Sequence, residues 1–161
     1  MTRASPADAV EIIEVRPDST EARHCLARYY SEIADRFDGG FDPDRSSAPT
    51  LNAFAAPGGT FVVMRRYGAL VGCGGFKRDT ADAAYLKRMW VAPEARGLGL
   101  GKQLLQALED RAKALGYRKA RLETERSLTE AQQLYRASGY REVPPFNDEL
   151  YAHHWVEKQL D

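Results

Sequence analysis

Apolar positions along the chain switch between two periods, and each switch marks an expected element. Residues 1–9 carry no such pattern and are expected to form a flexible tail, whereas VEIIEV at 10–15 reads as a short strand. From 18 to 37 the period lengthens, placing Ala22, Cys25, Leu26, Tyr29, Ile33 and Phe37 on one helical stripe. Asp18, with Glu21 three residues later and Pro17 just before, has the form of a capping box, and Gly39-Gly40 supplies the stop. FDPDRSSAPT at 41–50 is polar and reads as a loop. TFVVMRR (60–66) and ALVGCGGFKR (69–78) are β-rich runs on either side of Tyr67-Gly68, which predicts a hairpin, and AAYLKRMWV (83–91) continues the series. A helix then opens at Gly99 or Leu100, with Leu104, Leu105, Leu108, Ala112 and Leu115 on one face and Gly116 at its end. KARLETE (119–125) is another strand. Ser127 with Glu130 forms a second capping box before TEAQQLYRAS, which stops at Gly139, and YREV (140–143) and HHWVEKQL (153–160) close the chain as strands.

An antiparallel meander followed by strand–helix–strand–helix units predicts an α/β (α+β) fold. Its central sheet would be mixed but mostly antiparallel, about six or seven strands wide, and flanked by helices. No repeat, low-complexity stretch or linker interrupts the pattern, so residues 10–161 are expected to form a single domain.

Composition narrows the function classes. Lys plus Arg equals Asp plus Glu at 23 each, which argues against a nucleic-acid coat or a membrane-surface binder. MTRASPADAV lacks an apolar h-region, and no apolar run approaches the roughly 18 residues of a membrane span, so neither a signal peptide nor a transmembrane helix is expected. Cys25 and Cys73 lack metal or redox spacing and read as buried free thiols, which points to the cytoplasm. No His, Cys, Asp or Glu cluster has metal-ligand spacing.

The chemistry concentrates in VAPEARGLGLGK at 91–102, where a strand meets an amphipathic helix. Glycine inside a helix costs about 1 kcal/mol relative to alanine, so three at a helix start need a reason. A helix N-terminus offers unpaired N–H groups and a partial positive charge, and glycines let that backbone approach a phosphate. Arg96 and Lys102 add formal charge at both ends, which together suggest a diphosphate cradle; the alternative is a tight strand–helix turn with glycines for packing. The glycines at 97, 99 and 101 do not match the G-x-G-x-x-G dinucleotide fingerprint. Gln103 stands where a P-loop needs Ser or Thr, and Arg96 where it needs its first glycine.

Arg96, Gly99 and Gly101 do fit [QR]-x-x-G-x-[GA], and on this motif the chain resembles the GNAT superfamily of acetyl-CoA-dependent N-acetyltransferases. MWVAP before the loop, KQLLQALEDRAKALGY after it, then RLETE and AQQLYRASGYRE look like successive motifs of that family in order. The resemblance covers 60–143, and 10–40 in outline. Through FNDELYAHHWVEKQL the chain is also similar to the GNAT modules fused to MarR-type regulators.

The resemblance implies a GNAT fold whose sheet splays at the cofactor site. Backbone groups of Met89, Trp90 and Val91 would meet the pantetheine arm. Arg96, Gly97, Leu98, Gly99, Leu100, Gly101 and Lys102 would hold the pyrophosphate, with Ala131 and Tyr135 completing the cofactor contacts. An N–H of the loop or of the 89–91 strand would polarise the thioester carbonyl. Tyr135, in LYRASGY, would protonate the leaving thiolate, although its spacing with Ala131 and Leu134 also suits a core aromatic. Two positions depart from the family pattern: Leu128 stands where an asparagine often contacts the cofactor, with Ser127 or Thr129 as substitutes, and Tyr85 stands where a glutamate often deprotonates the amine. Glu123 and Glu125, which share a strand face, become the candidate bases; the alternative is an ordinary solvated strand end. His153 and His154 face opposite ways on a strand, so one could line the acceptor pocket, or both could be structural.

The acceptor is expected between YYSEIADRFDGGFDPD and VPPFNDELYAH. Their acids (Glu32, Asp35, Asp38, Asp42, Asp44, Asp148, Glu149) and aromatics (Tyr30, Phe41, Phe146, Tyr151) suit a small cationic amine. Two ordinary polar loops are the alternative. The resemblance thus implies acetyl transfer from acetyl-CoA as co-substrate, without a metal, to a small-molecule amine or amino acid in a ternary complex. A protein lysine or N-terminal acetyltransferase and a non-catalytic acyl-CoA sensor are the alternatives. No nucleic-acid or membrane partner is expected, and a homodimer stays open.

Overall fold

A computed structural model describes residues 10–45 and 51–161; the expected tail at 1–9 and the end of the 41–50 loop lie outside the described residues. Seven strands form one sheet: β1 (Val10–Glu14), β2 (Thr60–Arg66), β3 (Ala69–Thr80), β4 (Ala83–Val91), β5 (Lys119–Thr124), β6 (Arg141–Glu142) and β7 (His154–Gln159). Their spatial order is β1-β2-β3-β4-β5-β7-β6, antiparallel everywhere except between β4 and β5. With α1 (Thr20–Arg36), α2 (Leu100–Ala114) and α3 (Thr129–Ala137), this is the mixed, mostly antiparallel α/β architecture that the sequence pattern predicts. The β2–β3 hairpin turns through Tyr67 and Gly68, both at positive φ (52° and 82°), the handedness that matches strand twist.

Neighbouring residues of β3 show how the helices divide between the faces of the sheet. Cys73 lies beside Cys25 of α1, whereas a Cβ on Gly74 would come within 3.1 Å of Leu108 Cδ1 of α2. Successive strand residues point to opposite faces, so α1 and α2 cover the two sides. Ala22, Cys25, Leu26 and Ile33 bury the stripe of α1, and Leu100, Leu104, Leu105, Leu108 and Ala112 that of α2. Both cysteines are buried free thiols, as expected. Glu109, also buried on α2, is satisfied by Tyr140 (2.9 Å) and Lys158 (2.8 Å), which tie α2 to the C-terminal strands.

Local expectations fail at four places. Ser19, not Asp18, caps α1, accepting from the Ala22 N–H at 3.1 Å, while Asp18 pairs with Arg16. Leu115 is exposed, because α2 ends at Ala114 and the chain turns away at Gly116 (φ 96°). Ser127 does not cap α3: its hydroxyl donates to Glu125, and the cap position is Leu128, which makes no side-chain cap bond. The strand around the histidines begins at His154, with His153 just outside it.

Two irregularities of β4 prepare the site. Its parallel ladder with β5 has three pairs, Ala83–Lys119, Ala84–Ala120 and Tyr85–Arg121, and then stops, although both strands continue. Facing β3, Cys73 pairs with Trp90 and Gly75 with Lys87, so Gly74 opposes both Arg88 and Met89, and Arg88 takes φ 62°. A bulge of this kind bends its strand and adds twist, turning the far half of β4 out of reach of β5. The splay expected at this point is therefore built by Arg88.

Candidate active site

A cavity of about 500 Å³ opens where β4 and β5 part, bounded by α1, the start of α2 and α3. One end is the glycine loop. Gly97 and Gly99 have φ of 84° and 76°, conformations that L residues rarely adopt, and a Cβ on either would meet nothing within 4 Å. Gly99 is the N-cap of α2, so the free N–H groups of the helix start face the cavity wall that Gly99, Leu100, Gly101 and Lys102 form. Gly101 answers to packing instead, because its missing side chain makes room for Leu134 of α3, whose Cδ2 would lie 3.3 Å from a Cβ. Gly97 and Gly99 thus combine positive φ with open space, whereas Gly101 makes room for Leu134.

Arg96 lines this end too, but its guanidinium is engaged elsewhere. It donates to the Val91 carbonyl at 3.0 Å and to both oxygens of Glu32 on α1 at 2.7 and 2.6 Å. Glu32 also accepts from Trp90 Nε1 at 3.1 Å. Burial opposes ionisation of Glu32, yet the bonds from Arg96 and Trp90 hold its carboxyl below the usual carboxylate range. Arg96 therefore fastens the loop to α1 while lining the cavity at the expected phosphate end. Leu98 packs against the hydrophobic core and is not among the residues lining the cavity.

Met89, Trp90 and Val91 form the middle of the wall, with Ala131, Leu134 and Tyr135 of α3 across from them. Beyond Tyr85 this edge of β4 has no strand partner among the described residues, and the Val91 carbonyl on it accepts from Arg96. Tyr135 is buried, which pushes its phenol well above the ordinary range, with Tyr29 and the Glu123 charge acting in the same direction.

At the far end stands a buried polar cluster. Glu123 accepts from the Tyr85 hydroxyl and from Lys87 Nζ (2.9 Å), and Lys87 also donates to Glu149 at 2.7 Å. The side chains of Glu123 and Glu149 are only 2% and 3% exposed. Asn147 steadies this group by donating to Tyr85 (3.1 Å) and accepting from Trp155 (2.9 Å). Glu123 Oε2 is buried without a hydrogen-bond partner among the described residues. Glu123 comes from the strand beside Tyr85, two residues past its partner Arg121, so a carboxylate reaches the neighbourhood of the tyrosine from the adjacent strand.

The second carboxylate of RLETE behaves differently. Glu125 lines the cavity but accepts from the N–H and hydroxyl of Ser127 and lies 3.5 Å from His153. His153 accepts from the Arg126 N–H at 3.1 Å and His154 sits 2.8 Å from Glu142; neither lines the cavity. Leu128 does line it.

Of the expected acceptor residues, Glu32, Phe41, Glu149 and Tyr151 reach the cavity. The two loops meet over it: the rings of Phe41 and Tyr151 stand 4.6 Å apart, and Asp42 N–H donates to the Tyr151 hydroxyl at 2.8 Å. Asp35, Asp38 and Asp148 do not line it, Phe146 packs on Tyr85, and the side chain of Asp44 lies outside the described residues. Lys87 and Arg88 carry no signal in the sequence, where a Lys-Arg pair inside a strand looks like surface. Among the described residues no helix is long and apolar enough to cross a membrane, and no His, Cys, Asp and Glu side chains gather as metal ligands.

Comparison with known proteins agrees with this geometry. The family model described as the acetyltransferase (GNAT) family matches residues 10–140. An IAA acetyltransferase from Azospirillum brasilense is 39% identical over 118 residues, covering 71% of this chain and 76% of that protein. Among solved structures, a GNAT-family acetyltransferase from Staphylococcus aureus MU50 superposes with a TM-score of 0.81 at 24% identity, covering 95% of this chain and 100% of that one. A GNAT-family acetyltransferase from Elizabethkingia anophelis with acetyl-CoA bound gives a TM-score of 0.67 at 18% identity, covering 95% and 99%. At these identities the two structures show the shared fold.

Proposed function

The chain belongs to the GNAT family of acetyltransferases, and from that premise we propose that it is an N-acetyltransferase using acetyl-CoA to acetylate a primary amine of a small molecule. Acetyl-CoA supplies the acyl group as a thioester. The observation that carries the reading is the continuity of one cavity from the α2 N-terminus, past the edge of β4 beyond its ladder with β5, to Glu123. The residues present fit the donor. Free N–H groups at Gly99–Lys102 with an open approach at Gly97 and Gly99 suit a pyrophosphate, and the Met89–Val91 edge suits an amide-bearing arm.

Glu123 is the proton acceptor in this scheme. Tyr85 and Lys87 fix its Oε1, and Oε2, which makes no hydrogen bond among the described residues, is the oxygen left to take the proton. A backbone N–H of Met89–Val91 or of the loop polarises the thioester carbonyl. Tyr135 donates its proton to the departing sulfur. Burial raises the phenol, which keeps Tyr135 protonated until the thiolate develops. The balance closes: a C–N bond forms as the C–S bond breaks, and the ammonium loses two protons, one replacing that of Tyr135 and the other leaving through Glu123.

The roof formed by Phe41 and Tyr151 favours a compact acceptor over a protein segment. Free-thiol release over a panel of small amines and lysine-bearing peptides tests this reading. Amine-dependent release is expected. Release with peptides alone would replace the acceptor class, and binding of acetyl-CoA without release from any acceptor would make the chain a sensor.

A further inference from the structure

The acceptor end of the cavity joins two surfaces of different kind. One is polar and centres on Glu123, whose Oε2 is buried without a hydrogen-bond partner among the described residues. The other is apolar: Ile33 and Phe37 from the end of α1, Phe41 from the loop after it, and Tyr151 from the loop before β7 all line the same cavity. The three rings form one cluster. Phe41 stands 4.6 Å from Tyr151 and 5.7 Å from Phe37, edge to face at 87°, and Phe37 lies 5.8 Å from Tyr151. These are the separations at which ring pairs attract.

Backbone bonds hold this cluster in place. Phe37 N–H donates to the Ile33 carbonyl at 2.9 Å and Gly40 N–H to the Phe37 carbonyl at 3.0 Å. Asp42 N–H donates to the Tyr151 hydroxyl, and Phe41 rests against Tyr30 and the Arg88 guanidinium, 5.9 and 5.7 Å away. Across the cavity, Ala152 N–H donates to the Glu149 carbonyl at 3.3 Å, closing a turn that carries Tyr151, and His153 N–H donates to the Thr124 carbonyl at 3.0 Å. That turn ties the rings to the chemistry, because Glu149 bonds Lys87 and Lys87 bonds Glu123. A surface already ordered takes up a ligand without the entropy cost of fixing its side chains. The polar groups beside the rings are engaged as well. The Tyr151 hydroxyl accepts from Asp42, and the wall carboxylates Glu32 and Glu130 pair with Arg36 and Arg96. A polyhydroxylated or second cationic group would lose its water there for little return, whereas an aromatic ring exchanges water for ring contacts.

Resting on the acetyl-transfer reading above, we propose that the acceptor is an arylalkylamine: a primary amine on a short tether whose aromatic ring is held by Phe37, Phe41 and Tyr151 while its nitrogen meets Glu123. Phe41 and Tyr151, one from each loop, are the specificity-determining residues. The ring is held alike before and during the reaction, so its contribution falls on KM rather than kcat.

Free-thiol release with 2-phenylethylamine, 2-cyclohexylethylamine, ethylamine and 1,4-diaminobutane tests this. The phenyl compound is expected to exceed ethylamine and the diamine by about ten- to a hundredfold in kcat/KM, the scale of burying one such ring. It should exceed the cyclohexyl compound by about two- to tenfold, the scale of an aromatic pair beyond its area. In Phe41→Leu and Tyr151→Leu the phenyl-to-cyclohexyl ratio should fall toward unity through a raised KM for the phenyl compound; an unchanged ratio in both folded variants would overturn the assignment. Ethylamine, the diamine or the cyclohexyl compound acetylated as well as the phenyl compound by the wild-type protein would overturn the inference while leaving the N-acetyltransferase reading intact. That comparison stands even if the variants fail to fold. Bound acetyl-CoA with no thiol release from any amine would overturn both.

Discussion

Gly99 and Gly68 form a matched pair for testing the cradle. Both have positive φ, 76° and 82°, and a Cβ built on either meets nothing within 4 Å. Alanine in the left-handed region costs about 1–2 kcal/mol through contact of its Cβ with the backbone, so Gly99→Ala and Gly68→Ala should lose similar stability. In a chain of this length each 1 kcal/mol lowers Tm by roughly 2–4 °C. The two positions differ in what lies beyond. Gly68 turns an exposed hairpin, whereas Gly99 caps α2 on the cavity wall. A methyl group there stands in the approach to the free N–H groups, and losing one charge-assisted hydrogen bond costs about 1.5–3 kcal/mol. That corresponds to a rise of about ten- to a hundredfold in the Kd for acetyl-CoA. Calorimetric titration at fixed salt, with thermal melts of the same samples, reads both quantities. Equal acetyl-CoA affinity in the two variants at matched stability loss would refute the reasoning.

Further expectations follow from the same contacts. Tyr135→Phe should lower kcat about ten- to a thousandfold, at or somewhat below the usual range for general acid help, with little change in KM; wild-type turnover would remove the phenol from the reaction. Leu104, fully buried on α2, should cost about 2–5 kcal/mol in urea unfolding when replaced by alanine. Glu32 has a lowered folded-state pKa, so its stabilising contribution is present above the ordinary glutamate value near 4.3 and is lost as pH falls through the lower folded value. Urea melts of wild type and Glu32→Gln should therefore differ most near neutrality and converge in acid; a constant difference down to pH 3 would contradict the Arg96–Trp90 account.

Elements whose apolar period is long were legible from sequence alone. The leucines of α2 and the β-branched runs of β2 and β3 bury as their spacing predicts, because a stripe of that kind has one way to leave water. The glycine loop was legible as well, since φ above zero leaves a composition signature at Gly97 and Gly99. What stayed hidden depends on partners distant in sequence. The bond that ties Arg96 to Glu32, 64 residues earlier, leaves no mark in the local sequence. Gly101 belongs to the same run, yet its reason is Leu134 on another helix. Glu123 and Glu125 are equivalent in RLETE; only Ser127, Tyr85 and Lys87 make one self-satisfied and leave the other with a spare oxygen. A bulge at an arginine carries no residue-type mark, so the splay of β4 could be expected from resemblance but not assigned to Arg88.

The central claim is that Glu123 removes the proton from an amine held in this cavity, and Glu123→Gln tests it most directly. Glutamine keeps the shape and can still accept from Tyr85 and Lys87, but it takes up no proton at neutral pH. Amine-dependent thiol release at saturating acetyl-CoA should fall in kcat/KM by about 10²–10⁴, with the calorimetric Kd for acetyl-CoA unchanged. Turnover equal to wild type, with acetyl-CoA bound as before, would contradict the account.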